Sequence, residues 1–309
     1  MTDANVVAAV DCGTNSTRLL IVDDGGRTLV REMVITRLGQ GVDESRTLRT
    51  DAVARTLDAL RHFRQLLDEH ATASTRVVAT SAVRDADNGE QFLRSASSII
   101  GVEAEILAGD EEGRLSYLGA TADLPGRALD PVVLDIGGGS TEIVMATDGE
   151  MSVVSMNLGC VRLTERCLLH DPPTATEEAA AVQVIADELR QACLVAPAFE
   201  DLAPGRRLVG LAGTVSTLAM LDLGLTDFDR DAIHHSILSL GAVEQWCRDL
   251  GTETYAERAA RRGISEGRQD VIFGGALVLR EVMRWFRFGD CLVSESDILD
   301  GLVLSQRSS

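Results

Sequence analysis

The most informative absence is lysine: all 29 basic residues of this 309-residue chain are arginine. Without lysine the chain cannot form a Schiff base through a side-chain amine, and it cannot carry the lysine of a P-loop or of a protein kinase. A bound phosphate group would have to be held by arginine, backbone N–H groups, hydroxyls or a metal ion. Mechanisms that need a lysine amine are thereby excluded.

Other common signals are missing too. No apolar run approaches the roughly 18 residues that span a bilayer, and residues 1–5 lack the basic charge of a signal peptide. The cysteines are scattered without a C-x-x-C pair, and no H-E-x-x-H motif occurs, which argues against a disulfide framework and a zinc site. We therefore expect a soluble cytosolic protein without a membrane partner.

The charge balance is strongly acidic, with a formal net charge of −19. Such a chain repels nucleic acid unless it has a local basic groove, so we expect no nucleic-acid partner. A polyanionic substrate stays compatible if arginines or a divalent cation offset the field locally. Hydrophobic residues make up 45% of the chain and its length suits two domains, each with its own core.

An internal repeat organises the chain. Residues 11–17 read D-C-G-T-N-S-T and residues 135–141 read D-I-G-G-G-S-T, and both segments lie between apolar, strand-like runs. Each copy continues through a second strand, a turn and a third strand, which is the pattern of a β-meander. Two copies of one supersecondary unit predict a duplicated protein.

The remaining segments add helices and further strands to each half. Thr50 could cap one helix, Thr174 and Glu177 have the spacing of a capping box for a second, and Ser265–Phe286 reads as largely helical. Alternating strands and helices predict α/β domains with mixed sheets flanked by helices. We place the first domain at residues 1–125 and the second at 126–309, with the boundary in the loop 123–126.

The repeated loops suit phosphate chemistry. Glycines allow the backbone to approach a ligand closely, and consecutive N–H groups form an anion-binding nest. The serine and threonine hydroxyls add hydrogen-bond donors, and an aspartate at a strand end can hold Mg²⁺ or a metal-bound water. One such loop would be weak evidence because tight turns use glycine anyway, but two matched copies favour the functional interpretation.

This arrangement resembles the superfamily of actin, sugar kinases and acetate kinases. The resemblance implies a duplicated actin-like (ribonuclease H-like) α/β fold, in which the two loops are phosphate motifs. A third glycine motif completes the site in that superfamily, and the segment 210–214, G-L-A-G-T, fits its place. A plain strand-to-helix turn is the alternative explanation for this segment.

Five further segments, taken together and in order, resemble the exopolyphosphatase/pppGpp-phosphatase family. The resemblance covers essentially the whole chain, and its specificity lies in the combination. The segments are R-L-G-Q-G-V at 37–42, T-S-A-V-R-D-A-D-N at 80–88, G-D-E-E-G-R-L at 109–115, L-D-I-G-G-G-S-T-E at 134–142 and M-N-L-G-C-V-R-L at 156–163.

The resemblance implies roles for individual residues. Glu112 matches the catalytic glutamate that activates or orients water, Arg84 a phosphate-contacting arginine, and Asp135 and Glu142 acidic residues tied to activity and Mg²⁺. With Asp11, the latter two form the implied metal site, where Mn²⁺ could substitute. The implied phosphate-binding residues besides Arg84 are Gly13, Thr14, Asn15, Ser16, Gly137, Gly138, Gly139, Ser140, Thr141, Gly213 and Thr214. Cys12 departs from the family's small or aliphatic residue, which should be tolerated.

Simpler interpretations stay open for several of these residues. Glu112 falls in a first helical turn, where acids are favoured by the helix dipole. Arg84 could form a salt bridge with Asp85 or Asp87. The pair His234-His235 is more typical of helix capping or packing than of metal binding. The pairs 206–207 and 261–262, both Arg-Arg, read as solvated surface or as the lining of a polyphosphate channel.

The function that the resemblance implies is hydrolysis of a terminal phosphoanhydride bond. Inorganic polyphosphate is the first expected substrate, with short chains favoured because the chain ends near the second domain's end, where long members continue. The nucleotide pppGpp is the alternative substrate. A small-molecule kinase or ATPase of the same superfamily and a non-enzymatic sensor are the competing functions. Hinge closure on substrate and a homodimer are further expectations.

Overall fold

The computed structural model describes residues 6–124, 130–200, 202 and 205–307. The strands are β1 (Val7–Cys12), β2 (Ser16–Val22), β3 (Thr28–Ile35), β4 (Ser74–Ala79), β5 (Ala104–Ile106), β6 (Pro131–Ile136), β7 (Thr141–Thr147), β8 (Glu150–Met156), β9 (Arg207–Leu211), β10 (Ile237–Ser239) and β11 (Asp290–Val293). The helices are α1 (Val42–Ser45), α2 (Thr50–Glu69), α3 (Ser81–Asp85), α4 (Gly89–Ile100), α5 (Gly109–Thr121), α6 (Cys160–Cys167), α7 (Ala175–Val195), α8 (Ala212–Asp222), α9 (Arg230–Ile233), α10 (Leu240–Thr252), α11 (Tyr255–Ala260), α12 (Ile272–Trp285) and α13 (Ile298–Arg307). A 3₁₀ helix covers Pro197–Phe199.

The chain divides into two compact units, each built on one mixed sheet. The strand order is β3-β2-β1-β4-β5 in the first sheet and β10-β11-β9-β6-β7-β8 in the second. In both sheets the meander is antiparallel and the next strand pairs in parallel with its first strand, β4 with β1 and β9 with β6. The predicted fold class, a duplicated actin-like α/β fold with mixed sheets flanked by helices, is confirmed.

The first sheet is central in its unit because its middle strand is apolar on both faces. All six residues of β1 are buried. One face packs on α2 and α4 through Phe63 and Phe92, and the opposite face packs on α5 and α13 through Leu115 and Leu302. At roughly 25 cal/mol per Å² of buried apolar area, these two layers supply most of the stabilisation of the unit.

The C-terminal helix joins the first unit, although the sequence predicted that residues 126–309 form the second domain. The units comprise Met1–Gly119 with Ile298–Ser309, and Ala120–Asp297. The apolar side chains of Ile298 and Leu302 pack against Val7 and Leu20 of the first sheet. Gly301 lets the helix approach α5, because a Cβ there would overlap the Leu115 carbonyl. Of the predicted boundary loop, 125 and 126 lie outside the described residues.

The second sheet carries the larger core, and its helices largely follow the sequence. Thr174 accepts from the Glu177 N–H and Glu177 accepts from the Thr174 N–H, so the predicted capping box is confirmed at the start of α7. The helix predicted from Ser265 begins instead at Ile272. Gly267 has a φ of +86°, a left-handed conformation that ends any helix and delays this one. Thr50 is the first residue of α2, and Arg49 occupies the cap position.

Crossing a bilayer requires a helix that is both long and apolar along its whole length. None of the helices in the described part of the chain meets both requirements.

The cysteines give a direct test of the packing. Four thiols are buried and two are half-buried, and the half-buried ones are Cys167 and Cys193. Burial raises the pKa of Cys247 and that of Cys291 to about 12, so neither forms the reactive thiolate at neutral pH. We expect a thiol reagent such as DTNB to react rapidly with at most two thiols per native chain and with all six in denaturant. Rapid reaction of four or more native thiols would contradict this packing.

Candidate functional site

The first repeated loop, between β1 and β2, has its carbonyl groups turned into the protein. The Thr14 carbonyl accepts from the Gly39 N–H at 2.8 Å, and the Asn15 carbonyl accepts from the N–H groups of Thr36 and Arg37. A trans peptide is planar, so its N–H points opposite to its C=O. The N–H groups of Asn15 and Ser16 therefore point away from the segment that holds the loop. That segment covers residues 36–39. Its last residue must be glycine, because a Cβ at position 39 would overlap Thr14.

The second loop has the same arrangement, but three of its carbonyl groups are held instead of two. The Gly137 carbonyl accepts from the Cys160 N–H at 3.0 Å, and the Gly138 carbonyl accepts from the next two N–H groups of α6. The Gly139 carbonyl accepts from Nε of the buried Arg162 at 2.6 Å. By the same planarity argument, three consecutive N–H groups, at positions 138, 139 and 140, point away from α6. Consecutive N–H groups on one side of a loop form an anion-binding nest.

The motif threonine has a structural role in both copies. Thr141 is fully buried, and its hydroxyl donates to the Leu158 carbonyl. The corresponding Thr17 is equally buried and hydrogen-bonds the Thr36 hydroxyl at 2.9 Å. We therefore assign Thr141 to holding the hairpin, whereas the sequence suggested a phosphate donor.

The third glycine segment lies next to the second loop because β9 pairs with β6, with Leu211 opposite Asp135. Helix α8 begins directly at Ala212, which has a strained φ of +66°. The guanidinium of Arg268 occupies the space that a side chain at Gly213 would need. A glycine-bearing helix start with an arginine against it is compatible with anion binding.

The two repeats differ in charge at one matched position. Asp11 lies opposite Arg18 in the first hairpin, and Asp135 lies opposite Glu142 in the second. Oδ2 of Asp11 accepts from Arg18 Nε at 3.1 Å and from Nη2 at 2.6 Å. The buried carboxylate of the first copy is thus paired with a cationic side chain, whereas the second copy places two acids side by side.

This difference decides how well a divalent cation fits each loop. Asp135 and Glu142 are 8% and 1% exposed, and two buried carboxylates on neighbouring strands repel each other unless a cation or a proton compensates them. Carboxylate oxygens are the ligands that Mg²⁺ prefers. The pair therefore fits Mg²⁺. The charge of Asp11 is already compensated by the Arg18 guanidinium, so Asp11 fits the predicted metal role less well.

The first unit brings together two residues that the sequence singled out separately. Glu112 lies in the first turn of α5 and is 9% exposed. Arg84, at the end of α3, donates from Nη1 to Glu112 Oε2 at 3.3 Å and to the Leu107 carbonyl at 2.8 Å. The structure pairs this arginine with Glu112, whereas the sequence alternative was a salt bridge to Asp85 or Asp87.

Cys12, which departs from the family pattern, is an unreactive thiol. Its side chain is 1% exposed at the end of β1. Burial, with a smaller contribution from the negative charge of Asp11, raises the pKa of the Cys12 thiol far above its usual range. The thiol therefore stays protonated and behaves as a small apolar side chain, as the sequence suggested.

A second polar cluster in the second unit joins Asp123, His234 and His235. Their ligand atoms lie within 4.8 Å of one another, which is compatible with a metal ion. However, Nδ1 of His234 accepts from the Glu295 N–H at 3.0 Å, so the proton of the neutral ring is on Nε2, which donates to Asp123 Oδ2 at 3.1 Å. A protonated nitrogen cannot bind a metal, so we interpret the cluster as a hydrogen-bonded one, in line with the packing role expected for the histidines.

One arginine of each pair, at 206–207 and at 261–262, has local partners. Arg206 donates to the Ala146 carbonyl at 3.2 Å and to the Thr147 hydroxyl at 2.8 Å. Arg261 pairs with Glu253 and lies over the Trp246 ring, 5.5 Å from its centroid. These contacts favour a structural role for Arg206 and Arg261 over the lining of a polyphosphate channel.

Sequence reasoning missed Arg268, Arg162 and Ser155. Arg162 donates to the Gly139 carbonyl, and although it falls in the segment 156–163 that carries the family resemblance, that segment does not reveal this contact. Arg268 lies against Gly213 and is not part of any motif found in the sequence. The hydroxyl of Ser155 donates to Glu142 Oε1 at 2.6 Å. The β-meander pattern could have found Ser155, because the pairing of β8 with β7 places it opposite Glu142.

Comparisons with known proteins agree with this geometry. A family model described as the Ppx/GppA phosphatase family matches residues 20–309. Exopolyphosphatase 2 of Mycobacterium tuberculosis is 42% identical, and the alignment covers 97% of this chain and 98% of that protein.

Two solved structures resemble the chain over almost its whole length. The crystal structure of an exopolyphosphatase-like protein superposes with a TM-score of 0.92 at 36% identity, covering 98% of this chain and 100% of that one. The crystal structure of an exopolyphosphatase from Cytophaga hutchinsonii superposes with a TM-score of 0.88 at 26% identity, covering 98% of each chain.

Proposed function

Because the chain belongs to the Ppx/GppA phosphatase family, we propose that it is an exopolyphosphatase, which hydrolyses the terminal phosphoanhydride bond of inorganic polyphosphate and releases orthophosphate. The observation that carries this proposal is the nest of three consecutive N–H groups at positions 138–140, with its carbonyls held by α6. The name of the 42% identical relative supports polyphosphate as substrate.

Preorganised donors suit the transition state of phosphoryl transfer. This transition state is loose, with negative charge spread over the equatorial oxygens, so catalysis consists of positioning and charge stabilisation. In the second unit, the N–H groups of the loop and the guanidinium of Arg268 would bind the phosphate oxygens. The loop is fixed before substrate arrives, so little reorganisation is needed when the bond breaks.

Glu112 would be the residue that activates the attacking water. The Glu112 carboxylate would accept a hydrogen bond from the attacking water and take its proton as the P–O bond forms. Arg84 donates to one oxygen of Glu112 and thereby orients the carboxylate. The same guanidinium could also contact the transferred phosphate, as the family resemblance implies.

We further propose that Asp135 and Glu142 bind Mg²⁺, with Mn²⁺ as a substitute. When bound, the cation would offset negative charge on the phosphate oxygens. The support is the buried acid pair, which a divalent cation would compensate. A cytosolic location is supported by the six free thiols, which persist in a reducing compartment. A homodimer stays a prediction, which light scattering of the purified protein would check.

Phosphate release by the purified protein tests the proposal. We expect Mg²⁺-dependent release from short and long polyphosphate, with a higher kcat/KM than for pppGpp, and loss of release when EDTA removes the cation. A preference for pppGpp would retain the chemistry and replace the substrate. No release from any of these compounds, with phosphoryl transfer to a small acceptor, would favour a kinase.

A further inference from the structure

A serine on the third strand of the second meander holds one of the two buried acids. Ser155 lies directly opposite Glu142 in the antiparallel pairing of β8 with β7, so both side chains are on the same face of the sheet. The Ser155 Oγ donates to Glu142 Oε1 at 2.6 Å. This distance is within the range of a hydroxyl–carboxylate hydrogen bond, which holds the carboxylate oxygen in place.

The register extends this contact across three strands. Asp135 of β6 lies opposite Glu142 of β7, which lies opposite Ser155 of β8. The three polar side chains therefore form one row on one face of the sheet, with Glu142 in the middle. Glu142 is 1% exposed, so the orientation of its carboxylate is determined by neighbouring protein groups.

The duplication supplies an internal comparison for this row. The matched positions in the first unit are Asp11, Arg18 and Met33, which are paired in the same way. There the central position is an arginine that binds Asp11, and the third position is an apolar side chain that is 47% exposed. The meander therefore does not require a hydroxyl at this position. The serine occurs in the copy whose central residue is an acid.

We propose that Ser155 is a positioning residue that holds the Glu142 carboxylate in the orientation that binds the divalent cation. The proposal rests on the metal-binding role given to Asp135 and Glu142 in the proposed function. The hydroxyl fixes one oxygen of the carboxylate. The carboxylate is therefore already oriented when the cation binds. Partners of this kind orient ligands in many metal sites, and their removal costs about 10–100-fold in metal affinity or activity.

Direct binding of Mn²⁺ to the substrate-free protein tests this role without turnover. The electron paramagnetic resonance signal of free Mn²⁺ reports the bound fraction. The Glu142→Gln variant serves as the background control, because any Mn²⁺ that it still binds is bound by other acidic groups. We expect Ser155→Ala to raise the Kd of the Glu142-dependent site by about 10–100-fold. Ser152→Ala is the matched control, because Ser152 lies on the same strand opposite Met145, and it should leave Kd unchanged.

A second pair of variants separates positioning from folding. Threonine and valine have nearly the same shape and both suit a strand, but only threonine keeps the hydroxyl. We expect Ser155→Thr to bind Mn²⁺ within about threefold of the wild-type protein and Ser155→Val to bind as weakly as Ser155→Ala. Thermal unfolding of each variant, followed by circular dichroism, identifies any that do not fold.

The outcomes distinguish this inference from the proposed function. If Ser155→Val and Ser155→Thr bind Mn²⁺ equally, or if the wild-type protein binds none at Glu142, the role of Ser155 is overturned even when polyphosphate is hydrolysed. If Mn²⁺ binding depends on the hydroxyl but no polyphosphate is hydrolysed, the positioning role stands and the proposed substrate is wrong.

Discussion

Replacing Glu112 by glutamine is expected to lower kcat for phosphate release from polyphosphate by about 10²–10⁴-fold, the usual contribution of a positioned acid–base group. Glutamine keeps the shape and can still accept a hydrogen bond from Arg84, but it cannot take a proton from water. The substitution removes charge rather than volume, so the melting temperature should change by no more than a few degrees. Steady-state phosphate release and circular dichroism together measure both effects.

The neighbouring glutamate offers a matched control for this substitution. Glu111 lies in the same helical turn and pairs with Arg76 at 2.8 Å, with its side chain 46% exposed. Glu111→Gln should retain kcat within about twofold, because exposed ion pairs contribute little. If Glu112→Gln turned over polyphosphate as fast as Glu111→Gln, the helix-dipole interpretation of Glu112 would be preferred, and another base would have to be sought.

Replacing Gly159 by alanine is expected to disrupt the second loop, with a loss of about 10²-fold or more in kcat/KM. A Cβ at this position would lie less than 3.0 Å from the Gly138 carbonyl group and 2.6 Å from the Gly139 nitrogen. These are backbone atoms, so the loop itself must move. A displacement of about 1 Å at a positioned group can cost 10²-fold in rate, and overpacking costs about 1–3 kcal/mol of stability.

Gly241 provides the control for adding a methyl group. It lies in the first turn of α10, where the atom nearest to an added Cβ, the Ser239 hydroxyl oxygen, would be 3.9 Å away. Gly241→Ala should retain full activity and equal or higher stability, since alanine is the better helix former. Both variants should be compared by phosphate release and by urea unfolding. Equal activity of the two would show that the loop tolerates the displacement and does not bind the phosphate.

The repeated hairpins could be predicted from the sequence because their determinants are local. Alternating apolar runs, glycines in the loop and an aspartate at the strand end specify a meander within one short stretch of chain, Val7 to Ile35 in the first copy and Pro131 to Met156 in the second. The same holds for the capping box of Thr174 and Glu177, which involves one helical turn. Such features depend on neighbouring residues, whose contacts are the same whatever packs around them.

The opposite charges of the two hairpins are also visible in the sequence. The residue after each Ser-Thr pair is Arg18 in the first copy and Glu142 in the second. In the register of each hairpin, this residue lies opposite the aspartate that begins the motif. The pairing of Asp11 with Arg18, and the weaker fit of Asp11 to a metal, therefore follow from hairpin register alone.

By itself, then, the sequence determined the two hairpins, their glycine loops and the family. Only the tertiary structure decided that Arg84 meets Glu112, that Arg268 covers Gly213 and that α13 packs on the first sheet. These partners are separated by tens to hundreds of residues, so their approach depends on how helices pack on a sheet. Packing adds many small contact energies over a whole surface, and no short motif records their sum.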